Sequence, residues 1–306
     1  MNTTMHRTLY EKTLATSQRV NWKIEEILRD DDRLDFSRPF LPEALARVEE
    51  LPFLTPVERR TLNQIRGHTY LTMFGLVEEF ILPFVIDHTR PALAADDFRT
   101  RALLQFAGEE AKHIQLFKKF RDAFAAGFGQ RCETIGPPQA VASHVLSHDP
   151  LGVALVILHI EWMSQRHYVE SVRNDEQLEP LFKSLLKHHW LEEAQHARLD
   201  ALMVEALAEG KSDAEIARGV DAYLAIGTFL DQGLAQQVAM DLDALERTSG
   251  RKLGAAETAA AQKSQHQANR WTYLGSGMSH PEFLATVGRL SPTQRARLEE
   301  VAPAFS

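Results

Sequence analysis

HHWLEEAQHARLD, residues 188–200, carries three histidines and three acids among apolar positions. On a helix, His189, Glu193 and His196 fall four and then three residues apart, and at about 100° per residue they share one narrow stripe. Such a stripe ordinarily faces a core, and a core does not accept carboxylates or imidazoles without partners. The stretch therefore predicts a ligand held on the inner face of a helix.

A second copy lies upstream. GEEAKH at 108–113 and LEEAQH at 191–196 share Glu-Glu-Ala-X-His, which pairs Glu110 with His113 and Glu193 with His196. Another 32 residues upstream of each inner acid lie Glu78 in GLVEEF and Glu161 in LHIEWM, so one shift of 83 residues maps Glu78, Glu110 and His113 onto Glu161, Glu193 and His196. Each position lies on an apolar stripe, for example Leu71, Phe74, Ile81 and Val85 around Glu78, or Leu103, Phe106, Ile114 and Phe117 around Glu110. Glu79 competes with Glu78 for the inward place, although its own stripe contains Thr72 and Pro83 and the spacing favours Glu78. Four carboxylates in one core would repel and stay desolvated unless cations neutralise them. Mixed carboxylate and imidazole donors suit iron or manganese. One Glu from each of two helices plus Glu-x-x-His from each of two others is the donor set of ferritin-like di-metal bundles.

The rest of the chain reads as helix. Strand signals, alternating β-branched runs bounded by turns, do not occur. Thr55-Pro56-Val57-Glu58, Asp149-Pro150, Ser212-Asp213-Ala214-Glu215 and Ser291-Pro292-Thr293-Gln294 are helix starts. They predict long helices at about 56–88, 97–126, 150–174, 177–208 and 212–247, with shorter ones at about 8–30, 255–275 and 292–301. Pro83 is expected to kink the first long helix. The Gly/Pro-rich segment 127–149 reads as a crossover inside one bundle. The expected fold is all-α: a ferritin-like four-helix core over about 56–208, flanked by the helices at 8–30 and 212–301, with residues 1–306 as one domain.

With 306 residues, 44% hydrophobic, 25% charged and a net charge of −8, the chain can bury a large core, and nucleic acid and anionic membranes are disfavoured as partners. The single cysteine, Cys132, excludes an internal disulfide and fits a reducing, cytoplasmic setting. No secretory leader is read at the N-terminus, and the apolar run 151–160 is too short to span a bilayer.

His189, one turn before Glu193 on the same face, is a third imidazole beyond the ferritin-like minimum. Here the sequence resembles the p-aminobenzoate N-oxygenase family, bacterial di-iron enzymes that oxidise arylamines toward nitro compounds. In that family the last ligand helix reads His-x-x-x-Glu-x-x-His, as His189, Glu193 and His196 do. The resemblance implies metal ligation by Glu78, Glu110, His113, Glu161, His189, Glu193 and His196 of two iron ions, manganese being an alternative. It further implies O2 as co-substrate, an external electron donor, a separate reductase and a small-molecule amine substrate. A homodimer is compatible with it. A di-iron oxidase or desaturase acting on carbon, and an iron-handling ferritin-like protein, are the competing readings.

Other residues read more plainly. His188 is expected at the edge of the stripe, and Glu109 and Glu192, turned by about 100°, either in solvent or behind the ligands. Asp200, one turn past His196, is the candidate acceptor for that ring. His159, His167 and Tyr168 read as hydrogen-bonded packing, with Tyr168 also considered as a radical site. Trp162, Met163, Phe106 and Phe117 read as core or pocket wall. Cys132 shows no sign of a nucleophile.

Overall fold

In a computed structural model, residues 3–94 and 97–306 are described. Thirteen α-helices occur among them and no strand. They are α1 (Thr3–Val20), α2 (Ile24–Ile27), α3 (Glu43–Ala46), α4 (Pro56–Thr89), α5 (Asp97–Phe128), α6 (Pro138–Leu146), α7 (Pro150–Arg166), α8 (Pro180–Ala208), α9 (Asp213–Ser249), α10 (Ala255–Arg270), α11 (Ser276–Met278), α12 (Pro281–Leu290) and α13 (Pro292–Val301). Two π-helical segments, His167–Val172 after α7 and Trp271–Gly275 after α10, carry those helices on.

The starts form where the cap chemistry places them. Thr55 Oγ1 accepts from the amide of Glu58 at 3.2 Å, and the Glu58 carboxylate accepts from the amide of Thr55 at 2.8 Å, a reciprocal box that opens α4. Asp149 caps α7 through the amide of Leu151, and Ser212 with Glu215 caps α9. α4 runs through Pro83 to Thr89. Pro56–Thr89 is the one helix among the described residues long and apolar enough to cross a bilayer, and 67% of its apolar window is buried inside this fold.

Several boundaries differ from the sequence reading. The N-terminal helix breaks at residues 21–23, and Trp22 in the break turns inward, 5% exposed. The last long ligand helix starts at Pro180 instead of 177, because Glu179 accepts the amide of Phe182 and caps it there. The crossover contains α6, and α12 precedes the expected 292–301 helix.

α4 packs along α5, and α7 along α8. Each pair runs antiparallel: Phe74 lies beside Phe117 while Glu78 faces His113. α5 and α8 are antiparallel too, matching Glu109 with His196 and His113 with Glu192. This is an all-α, ferritin-like core of four helices, with α1 across α5 and α8 on one side and α9 across α4 and α7 on the other. One buried hydrophobic cluster runs through it from Tyr10 to Ala302. The α7–α9 crossing is close because Gly152 lets it be: a Cβ there would lie 2.5 Å from Ala222 Cβ and 2.8 Å from the Gly219 carbonyl.

Candidate metal centre

Glu78 and Glu79 are separated by the structure. Glu78 is 2% exposed and points into the bundle. Glu79 is half-buried and accepts a hydrogen bond from Gln139. Glu110, His113, Glu161, His189, Glu193 and His196 are all buried, none more than 3% exposed.

Glu193 is the hub. Its Oε1 lies 3.0 Å from His189 Nε2, 3.2 Å from His113 Nδ1 and 3.4 Å from His196 Nδ1. Two overlapping donor groups result: Glu78, His113, His189 and Glu193 on one side, Glu110, His113, Glu193 and His196 on the other. Glu78 reaches His189 Nε2 at 3.3 Å and His113 Nδ1 at 3.6 Å; Glu110 reaches His196 Nδ1 at 2.8 Å and His113 Nδ1 at 3.7 Å. Glu161 belongs to neither close group. It lies beside Glu193, fully buried, and both its carboxylate oxygens lack a hydrogen-bond partner.

The donor set fits a pair of metal ions. Glu78 Oε2, Glu110 Oε1, Glu193 Oε1, His113 Nδ1, His196 Nδ1 and both Glu161 oxygens are buried without a hydrogen-bond partner, all converging on one region. Burial, aided by the charges of Glu110 and Glu193, pushes the Glu78 carboxyl well above its usual range. Burial and then Glu193 do the same to Glu161. Unpaired buried carboxylates are costly, and cations remove that cost. The site is able to hold two metal ions.

Behind the donors the two copies of the motif exchange partners. Glu109, the outer acid of the first copy, lies 2.9 Å from Nε2 of His196 in the second; Glu192 lies 2.8 Å from Nε2 of His113 in the first. With Nε2–H donating outward, each ring presents Nδ1 to the centre, the arrangement in which an outer acceptor fixes the tautomer. Glu109 also accepts from Gln105 and from Ser17 of α1. Glu192 also takes Lys112, whose ammonium sits 3.8 Å from the Trp22 ring centre, and that ring stacks on His113 at 5.8 Å.

These acids are therefore buried behind the ligand-type residues and not in solvent. The doubled acid in each copy was the signal for them. The expectation that Asp200 accepts from His196 is corrected, because Glu109 occupies that nitrogen. Asp200 is fully buried, neither oxygen has a partner, and burial pushes its carboxyl well above the usual range.

The other residues fall as packing. His188 is half-buried at the stripe's edge, and its carbonyl accepts from Trp22. His159 bonds to the Tyr223 hydroxyl at 2.7 Å, and His167 to those of Tyr70 and Ser276, each at 3.0 Å. Tyr168 stacks on Trp190 at 4.5 Å. Cys132 is half-buried in the crossover, its thiol pushed up to about 12 chiefly by burial.

No family model matches the chain, and no curated protein does. Among solved structures it is similar to R2-like ligand-binding oxidases. One with an aerobically reconstituted Mn/Fe cofactor shares 13% identity at a TM-score of 0.43, over 85% of this chain and 91% of that one. A variant with an aerobically reconstituted Fe/Fe cofactor shares 13% at 0.41, over 84% and 90%. At this distance the residues of the centre speak only through their own geometry.

Proposed function

We propose that the chain is a non-haem di-iron oxygenase that oxidises the nitrogen of a small amine, an arylamine first of all, drawing electrons from an external donor. Manganese in one position is the alternative metal content. The observation that carries this reading is His189: a third imidazole nitrogen, 3.0 Å from the same Glu193 oxygen that the two Glu-x-x-His rings approach. It also supports the resemblance to the p-aminobenzoate N-oxygenase family, whose last ligand helix has the same three residues at the same spacing.

When bound, the two ions would supply the reduction of dioxygen. Glu78, Glu110, Glu161 and Glu193 would hold them and offset their charge, and His113, His189 and His196 would add neutral donors. Glu109 and Glu192 hold two of those rings in place. His189 adds a donor without adding charge. As a strong neutral donor it would make a bound ion less electrophilic than carboxylates and water alone would leave it. For the first step, an amine, one O2, two electrons and two protons give a hydroxylamine and water; one oxygen atom forms the N–O bond and the other leaves as water.

A single turnover of the reduced, iron-loaded protein under labelled oxygen, with an arylamine panel and product mass spectrometry, tests this. Label on nitrogen in the wild type, lost in His189→Ala at retained fold, is the expected result. Label on carbon would replace the reading by a carbon oxidase. Uptake of many irons per chain with indifference to amines would replace it by iron handling.

A further inference from the structure

A cavity of about 450 Å³ lies where α9 bridges α4 and α7, with α6 at its side. Its floor is Met73 and Leu76 of α4 with Ile160 and Met163 of α7, all buried. Val77 and Ile160, the residues immediately before Glu78 and Glu161, both line it. The cavity thus lies against the two helices that each lend one carboxylate to the centre. Phe229 and Leu230 of α9 form a further wall.

The mouth is different. Ala140, His144, Gln232 and Gln236 line it and are exposed. Among the described residues Tyr273 is the remaining polar side chain, and no Lys, Arg, Asp or Glu faces the cavity. Ligand sites of this size commonly take an aromatic body on apolar walls and orient it with a few polar groups.

We infer that this cavity holds the substrate of the proposed oxygenase and selects an uncharged arylamine, one without a carboxylate or phosphate. The inference rests on the reading in the preceding subsection. The charge argument works at both ends of the ligand. At the floor, a protonated alkylamine would lose its hydration to Met, Leu and Ile side chains with no counter-ion, whereas an arylamine is neutral at pH 7 and enters without that cost. At the mouth, two carboxamides and an imidazole offer hydrogen bonds to a neutral polar group, with no guanidinium or ammonium to pair an anion. The chain's net charge of −8 adds a general bias against anions. An acid-bearing arylamine such as 4-aminobenzoate is therefore the wrong ligand, and its methyl ester, equal in ring and amine but uncharged, is the right kind.

Calorimetric titration of the purified full chain under argon, where no turnover occurs, compares 4-aminobenzoate with methyl 4-aminobenzoate. The ester is expected to bind at least tenfold more tightly. Ala140→Trp, at the exposed mouth, should weaken the ester at least tenfold, and Ile135→Arg, at a half-buried residue that also lines the cavity, should strengthen the acid at least tenfold. Circular dichroism of each variant checks that it is folded. Equal or tighter binding of the acid to the wild type overturns the inference, as does ester binding that a folded Ala140→Trp chain leaves unchanged. The result separates from the reading beneath it: ester binding as stated, with unlabelled nitrogen after aerobic turnover, supports the neutral pocket and overturns the oxygenase.

Discussion

Phe106 stacks on His196 with 4.1 Å between ring centres, and it occupies in the first copy of the repeat the place that His189 occupies in the second. The 83-residue correspondence is broken at that inward position, and again where buried Phe117 of the first copy is replaced by buried Asp200 of the second. One donor group gains an imidazole, and the other gains a hydrophobic ring laid against an imidazole it already has. Around His189 the packing is aromatic as well, with Phe74 at 5.2 Å and Phe117 at 5.0 Å edge-on.

That asymmetry predicts two classes of metal site. In His189→Ala the group of Glu110, His113, Glu193 and His196 keeps all its donors, so one ion should bind as in the wild type. The other should bind at least tenfold more weakly, in the range expected when a supporting donor is lost (about 10–100-fold). Metal titration followed by spectroscopy should show two steps in the variant. A single undisturbed step of two ions would show that His189 is not a donor.

The exchange of outer acids predicts a contrast between Glu109 and Asp200. Glu109→Ala frees His196 Nε2 and should reduce metal affinity about 10–100-fold. Asp200→Asn, at a carboxyl with no hydrogen-bond partner, should leave affinity within a few-fold of wild type. Competition against a chelator measures both. Equal losses would return Asp200 to the supporting role that its spacing from His196 first suggested.

Much of this was legible in the chain because helical spacing and caps are local. Glu78, Glu110, Glu161 and Glu193 could be found from one repeat distance, and Thr55, Asp149 and Ser212 marked where helices begin. What escaped depends on contacts between distant segments. Ser17 reaching Glu109, and Trp22 settling behind His113, follow from how α1 crosses the bundle, which no periodicity encodes. Asp200 drew the wrong assignment because i, i+4 proximity on one helix is weaker guidance than a partner supplied by the facing helix. The π-helical segments lie where His167 meets Ser276, again a pairing between separate elements.

Asp241 carries a pH prediction. It is fully buried, accepts from Thr69 and Gln237 at 2.8 Å each, and burial, outweighing those bonds, raises its carboxyl from 3.8 to about 6. The folded state holds this proton more tightly than the unfolded one, so its contribution to stability falls as pH rises from about 4 through 6, and the penalty is complete above that. Asp241→Asn keeps the accepting oxygen and removes the ionisation. Relative to wild type, the variant should gain about 1–3 kcal/mol between pH 4 and pH 7.5 in urea unfolding. An identical difference at both pH values would contradict the assignment.

Close packing of α7 on α9 predicts that Gly152→Val destabilises by about 1–3 kcal/mol, since the new side chain meets Ala222 and the Gly219 backbone. Gly108, exposed on α5, is the control, because a Cβ there would meet nothing within 4 Å. Gly108→Ala should stabilise by about 0.5–1 kcal/mol from helix propensity alone. Thermal unfolding of the pair shows the opposite shifts, and a tolerated Gly152→Val would mean that α9 stands off α7.

The buried carboxylates and imidazoles around Glu193 are held to bind two redox metals, and elemental analysis of purified wild type beside a Glu110→Ala/Glu193→Ala chain tests this most directly. Two iron ions per wild-type chain, or iron with manganese, and loss of metal in the double variant are the predicted result. One stoichiometric zinc in the wild type, or full metal content in the double variant, would contradict it.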